Sequence, residues 1–205
     1  MDSIQAQALF IHLNSLQECI QPEGTTDFKG SFNVIEKLSS KLSVPVIIKE
    51  TGCGFSFKTL KRLKSTKIAA VDISGLGGTH WGRIEGDRAM AGSVHFQAAK
   101  TFQNWGISTV ESVLNANKAL GKKPTFELWA SGGVRTGLDA AKLIAMGAKA
   151  IGLAKPALEK ALIGQHSLIE WMSQVEYELK TAMFCTGSKD IKNLSQTNWS
   201  IRQRE

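Results

Sequence analysis

At 205 residues, 42% hydrophobic and 21% charged, the chain has the make-up of a folded protein of one or two domains. A chain of this size buries about 70% of its unfolded surface, enough for a conventional core. That balance excludes disorder, collagen and low-complexity sequence, and no run of 18 uncharged apolar residues is present to span a membrane.

The formal charge of +7 raises the question of a nucleic-acid partner. Lys58, Lys61, Arg62, Lys64 and Lys67 form one basic cluster, and Lys189, Lys192, Arg202 and Arg204 form a basic tail. Neither has interleaved aromatics or a nucleic-acid motif, so both read as solvated helix faces. No nucleic-acid or membrane partner is expected. Met1-Asp2-Ser3-Ile4-Gln5 shows neither the basic n-region nor the apolar h-region of a secretory signal. Cys19, Cys53 and Cys185 are odd in number and in no CxxC spacing, which fits a reducing cytoplasm rather than a disulfide framework or zinc site.

Strand-length apolar runs alternate with helical patterns along the chain. The first strand covers residues 8–13, and an apolar stripe of Phe32, Ile35, Leu38 and Leu42 predicts a helix over 30–42. A β-branched strand over 44–48 leads into Lys49-Glu50, followed by a helix over 56–65. A third strand over 68–73 leads into Ser74-Gly75 and then helices over 91–104 and 108–120. The fourth strand, 126–130, runs into Ser131-Gly132-Gly133 and a helix over 137–146. The fifth, 150–154, runs into Lys155-Pro156, with helices over 156–164 and 166–184. Continuous rather than alternating apolarity marks strands covered on both faces, hence a parallel sheet built from βα units.

Polar residues and glycines gather at the carboxyl ends of these strands, where βα barrels build active sites. They are His12 to Glu18, Lys49-Glu50, Ser74 to Thr79, Ser131 to Arg135, and Ala154-Lys155. Paired glycines at Gly132-Gly133 let backbone amides approach an anion, and the helix starting near Leu138-Asp139 adds its dipole. With Gly152-Leu153-Ala154-Lys155 in the adjacent loop, the pair suits a phosphate at the last two strands of a barrel. Lys49 should point into the barrel mouth, where an ammonium can face a carbonyl or an anionic cofactor. Glu18, with Glu23 and Asp27 nearby, is a candidate Mg²⁺ ligand beside a phosphate. His12 suits either the site or a hydrogen-bonded core position. Trp81, Trp129 and the apolar stripe of 166–184 read as packing.

This pattern resembles the type 2 isopentenyl-diphosphate isomerases, flavoprotein barrels of isoprenoid biosynthesis. The resemblance is carried by His12-Leu13-Asn14 with Gln17-Glu18 and Gln21-Pro22-Glu23-Gly24, then by Val46-Ile47-Ile48-Lys49-Glu50. It continues through Asp72-Ile73-Ser74-Gly75-Leu76-Gly77-Gly78-Thr79, Trp81, Ile84-Glu85, Ala130 to Arg135, and Cys185-Thr186-Gly187-Ser188. The resemblance implies a TIM-type (β/α)8 barrel that interconverts isopentenyl and dimethylallyl diphosphate with reduced FMN and Mg²⁺, NADPH serving as flavin reductant. It implies His12, Asn14 and Gln17 as substrate contacts, Gln17 also as the catalytic position, and Glu18 as the Mg²⁺ ligand. Lys49, Ser74, Thr79, Gly132, Gly133, Val134, Arg135, Ala154 and Lys155 would hold FMN.

Two other readings compete. A 2-hydroxy-acid oxidase carries a His-Gly-x-Arg element, for which His80-Trp81-Gly82-Arg83 offers a counterpart with Trp81 where the glycine belongs. A non-catalytic remnant is the second, since a complete barrel has eight strands and typically ~250 residues. Five units predict that residues 1–205 form the C-terminal part of one FMN-binding barrel domain. Such a chain is expected to bind FMN weakly alone, and to work with a separate N-terminal part or as a homo-oligomer.

Overall fold

The computed structural model describes residues 4–200. Arg202 and Arg204 of the basic tail, and Met1 to Ser3, lie outside the described residues. Five parallel strands pair in the order of the sequence: β1 (Leu9–His12), β2 (Val46–Lys49), β3 (Ala70–Asp72), β4 (Glu127–Ala130) and β5 (Ala150–Ile151). The register aligns His12 with Lys49, Lys49 with Asp72, and Asp72 with Trp129. Side chains alternate across a strand, so these four share one layer at the carboxyl edge of one face. The other face carries Val46, Ile48, Val71, Ile73, Leu128 and Ala130, packed in a single core with Leu60, Leu63, Val113, Ala116 and Leu143 from the helices.

The connecting helices are α1 (Ser15–Ile20), α2 (Ser31–Lys41), α3 (Phe57–Leu63), α4 (Trp81–Arg88), α5 (Val94–Thr101) and α6 (Thr109–Leu120). They continue with α7 (Gly137–Ala145), α8 (Lys155–Ile163), α9 (Gln165–Cys185) and α10 (Ile191–Leu194). Every helix anticipated from periodicity is present. Burial on both faces holds for β2, one strand in from the edge, where Val46, Ile47 and Ile48 are all covered. It fails at the margins, where Phe10 of β1 and Ala150 of β5 are exposed.

Three helices lie where loops were expected. The segment holding Gln17 and Glu18 is α1, one and a half turns opened by Asn14, whose side chain accepts the Gln17 amide at 2.9 Å. Helix α4 escapes periodicity because glycines replace apolar residues on its packing side. A Cβ on Gly86 would sit 2.2 Å from the Ala99 Cβ, so α4 and α5 touch almost backbone to side chain. Short α10 closes a small second cluster, Ala141 and Ile144 with Leu194. Strand β5 is shorter than the predicted 150–154, because Gly152 turns away over Ser131 and Ala154 already caps α8. The stripe on α9 packs only in part: Leu179 and Met183 join the second cluster while Met172 is exposed.

Candidate active site

A cleft of about 640 Å³ opens at the carboxyl ends of β2 to β5. Lys49, Asp72, Ser74, Thr79, Gly132, Gly133, Val134, Arg135, Ala154 and Lys155 all line it, together with Thr51, Trp81 and Ser131. The nine residues expected around FMN therefore share one cavity. Trp81 is 42% exposed on its wall, so it serves the cleft where its residue type reads as packing.

The walls are built by two interlocked glycine loops. Ser74 holds a positive φ of 37°, and its carbonyl accepts the amides of Gly52 and Gly54 at 2.9 and 3.3 Å. Gly75 lies against Thr109, and a Cβ on Gly132 would fall 2.2 Å from the Gly75 carbonyl oxygen. A Cβ on Gly78 would meet the Gly133 nitrogen at 2.5 Å. The glycines after β3 and β4 thus serve first to let the two backbones touch. Among the described residues, the amides of Gly132, Gly133 and Val134 donate to no protein acceptor, leaving them open to an anion at the cleft. Val134 itself is buried, so its contribution there is its backbone.

The expected help from the start of α7 is absent. Its N-terminus is already neutralised within the protein: Glu178 accepts the Gly137 amide at 2.7 Å, and Asp139 accepts the Arg135 amide at 3.2 Å. The Arg135 guanidinium turns to the Gly77 carbonyl at 3.1 Å, tying the two loops. Helix α8 differs. Its N-cap Ala154 offers no side-chain cap, Pro156 occupies the first turn, and both line the cleft, so this helix start lies uncapped at its wall. The unclaimed amides of the Gly132–Val134 turn, an uncapped helix start and Lys49 fit a bound phosphate group such as that of FMN.

In the wall of this cleft, Ser131 donates to Asp72 at 2.7 Å. Burial raises the Asp72 carboxyl above its usual value, opposed by the Ser131 hydrogen bond and the Lys49 charge. Glu50, facing away from the cleft, is 4% exposed and accepts the amides of Thr51 and Cys53 at 2.7 and 2.6 Å. Burial pushes its carboxyl up to about 7 against those amide bonds. Burial, with the Glu50 charge added, pushes the Cys53 thiol up to about 12, leaving it inert.

Thr51 joins the cleft to the residues of α1. Its hydroxyl receives a hydrogen bond from Asn14 Nδ2 at 2.7 Å and donates to Gln17 Oε1 at 2.9 Å. Gln17 Nε2 lies 3.4 Å from Glu85 Oε1, and the other Glu85 oxygen pairs with Arg88 at 2.6 Å. Asn14 is fully buried, with one amide atom capping α1 and the other on Thr51, so it positions neighbours instead of facing a substrate. His12 is no core residue: its Nε2 lies 3.3 Å from Glu18 Oε1, with 41% of the side chain exposed. Glu18 Oε2 accepts the Thr25 amide at 2.7 Å. Glu23 pairs with Arg88, and Asp27 holds the Lys29 amide. Among the described residues no three His, Cys, Asp or Glu side chains cluster as a metal site. Glu18 is thus a lone carboxylate, the number Mg²⁺ takes when phosphate oxygens and water complete its shell.

Thr51 was not singled out from sequence, and Glu85 and Ser131 were named there without the partners they take. Thr51 carries no pattern of its own, since its partners lie 34 and 37 residues away. The position of Glu50 and Asp72 at strand ends was the one available signal for them.

The His80 element is differently employed. Its Nδ1 accepts the Arg83 amide at 3.2 Å and its Nε2 contacts the Trp105 carbonyl at 2.9 Å. Both nitrogens are used and the ring is 3% exposed. Arg83 reaches Gln103 and Asn104.

A five-stranded parallel sheet in sequence order, with a phosphate-suited cleft at its carboxyl edge, is part of a cofactor-binding βα barrel, and residues 13–201 match the family model for FMN-dependent dehydrogenases. The chain belongs to that family. Within it, the chain is 56% identical over 196 residues to the isopentenyl-diphosphate delta-isomerase of Legionella pneumophila strain Corby, covering 96% of this chain and 56% of that protein. It is 57% identical over 194 residues to the isomerase of Bdellovibrio bacteriovorus, covering 95% and 55%. The chain spans about half the length of the curated relatives it matches. The barrel fold recurs in a mandelate oxidase variant, with a TM-score of 0.64 at 17% identity, covering 96% of this chain and 57% of that one. It recurs also in GMP reductase from Trypanosoma brucei, with a TM-score of 0.66 at 18% identity, covering 100% and 42%. No helix among the described residues is long and apolar enough to cross a membrane.

Proposed function

We propose that this chain is the C-terminal part of a single FMN-binding barrel domain that interconverts isopentenyl and dimethylallyl diphosphate in isoprenoid biosynthesis, in the cytoplasm. The observation that carries the reading is Thr51, which lines the cofactor cleft and at the same time fixes Gln17 through its hydroxyl. The identity to named isomerases supports the substrate class.

Lys49, Ser74 and Thr79 hold FMN from one wall, and the Gly132–Arg135 turn with Ala154 and Lys155 receives its phosphate. Reduced FMN, kept so by NADPH, supplies an electron-rich ring that stabilises positive charge as a double bond migrates. Gln17 faces the substrate, held from both ends by Thr51 and Glu85, so its amide enters with its orientation fixed. His12 steadies Glu18, which holds Mg²⁺ at the diphosphate. The walls of Trp81 and the interlocked loops exclude water. A separate N-terminal part, or another copy of the chain, supplies the remaining barrel units. Hydroxy-acid oxidation is disfavoured because His80, the base it requires, has both nitrogens committed to backbone groups.

The test is purification of the chain alone and together with the N-terminal half of the Legionella relative. Little flavin absorbance is expected for the chain alone, and stoichiometric flavin for the pair. With Mg²⁺, isopentenyl diphosphate and NADPH, the pair should form dimethylallyl diphosphate, read by mass spectrometry. A flavin-loaded pair that forms none overturns the isomerase reading.

A further inference from the structure

The loop of residues 50–54 makes more connections than any direct role in cofactor contact requires. Its amides at Gly52 and Gly54 bind the Ser74 carbonyl, its Cys53 carbonyl accepts the Ile107 amide at 2.8 Å, and its Thr51 carbonyl accepts the Trp81 amide at 3.3 Å. A Cβ on Gly52 would fall 2.5 Å from the Thr79 carbonyl oxygen, so the loop also lies directly against the Thr79-His80 backbone. Three cleft residues, Ser74, Thr79 and Trp81, therefore take their places from this one loop. Its own shape is set at the centre by a buried side chain, Glu50, whose Oε2 gathers the amides of Thr51 and Cys53.

We propose that Glu50 is the positioning residue for Gln17: its buried carboxylate folds the 51–54 loop around itself and thereby fixes Thr51 Oγ1, the atom that orients the Gln17 amide. The functional weight of this rests on the reading of Gln17 as the substrate-facing group; the geometry does not. Thr51 Oγ1 is the loop atom that meets the Gln17 side chain, and it is shared with Asn14, which also caps α1 and receives a longer contact from Cys53 Sγ of the same loop at 3.8 Å. A shift of the loop is thus transmitted to both the side chain of Gln17 and the helix that carries it. Glu50 itself lines neither the cleft nor α1, so its influence on the Gln17 side chain passes through Thr51, with Cys53 touching only the Asn14 cap.

The experiment uses the full chain, labelled with ¹⁵N, with the side-chain amide signals of Gln17 assigned by a Gln17→Asn spectrum. Glu50→Gln, nearly isosteric, puts an amide group where the two backbone donors converge. The Gln17 side-chain signals are expected to move toward those of a solvent-exposed glutamine, and exchange of the Thr51 and Cys53 amides to quicken at least about tenfold. Thr51→Ser, which keeps the hydroxyl, should preserve the parent Gln17 signals, whereas Thr51→Val should shift them as Glu50→Gln does. If Glu50→Gln does not fold, Glu50→Asp replaces it, since the shorter carboxylate withdraws from Cys53 while remaining an acceptor. Unchanged Gln17 signals in the folded Glu50 variant overturn the proposal, as do equal effects of Thr51→Ser and Thr51→Val. These readouts need no substrate, so their failure is separate from a failure of the isomerase reading, which the turnover assay alone decides.

Discussion

Substituting Gly132 by alanine isolates the contact between the two cofactor loops. The new Cβ would lie 2.2 Å from the Gly75 carbonyl oxygen, 2.6 Å from the Gly75 nitrogen and 2.9 Å from Thr109 Oγ1. Two of these neighbours are backbone, and the third is pinned by its bond to the Gly132 carbonyl at 2.6 Å, so none yields cheaply. The positive φ of 95° adds its own penalty. Backbone strain of about 1–2 kcal/mol and overpacking of about 1–3 kcal/mol give a loss of about 2–5 kcal/mol. For a chain of this length that lowers the apparent Tm by about 4–20 °C. The control is Gly30→Ala, where φ is 83° but nothing lies within 4 Å. Only the strain remains there, about 1–2 kcal/mol. Both variants are measured by circular dichroism melts against the parent. Equal Tm shifts for Gly132→Ala and Gly30→Ala would refute the interlocked loops.

Three further outcomes follow from buried polar groups. Glu50 has a folded pKa of about 7 against 4.5 when free, so the folded state binds its proton more tightly. Its contribution is complete below pH 4.5, declines between 4.5 and 7 and is gone above, on the order of 3 kcal/mol in all. Urea titrations from pH 4 to 8 should show that decline in the parent and a flatter profile in Glu50→Gln, with identical profiles counting against a buried acid. Asp72, also raised by burial, adds to the loss in the same direction, so Asp72→Asn should reduce the slope at the acidic end. Removing Arg88 leaves the 3% exposed Glu85 carboxylate without its 2.6 Å partner. Arg88→Ala should cost about 1–3 kcal/mol, tempered by the solvation of the half-exposed arginine, and adding Glu85→Gln should recover part of it. Additive losses in the double variant would show that the pair is not coupled.

Much of the sheet was legible because its order equals the sequence order and its central strands are apolar without interruption. Val46-Ile47-Ile48 could be read as doubly covered from residue type alone. The edges could not, since burial there depends on what lies beside β1 and β5. Helix α4 was unreadable for a physical reason: Gly82 and Gly86 mark a close approach to its neighbours, and a glycine in sequence looks like a break. Within the site, Lys49 and the glycine turns could be found because strand ends are where chemistry gathers. The roles of Asn14 and His80 could not. Each is a polar residue beside site residues, yet both spend their hydrogen bonds inside the protein, and residue type does not reveal that expenditure.

That difference locates ligand-binding capacity more sharply than proximity does. A polar group already satisfied by protein partners can receive a ligand only by breaking a bond that folding has made. By this standard the start of α7 is closed, because Glu178 and Asp139 supply it with negative charge. A phosphate placed there would meet two carboxylates. The Gly132–Val134 amides and the uncapped start of α8 have no such competitor, and their residues line the same cleft. Filling the cleft with an anion therefore completes hydrogen bonds the fold leaves unmade. Replacing Lys49, the positive side chain on its β2 wall, should weaken a phosphate-bearing cofactor more than it weakens the fold.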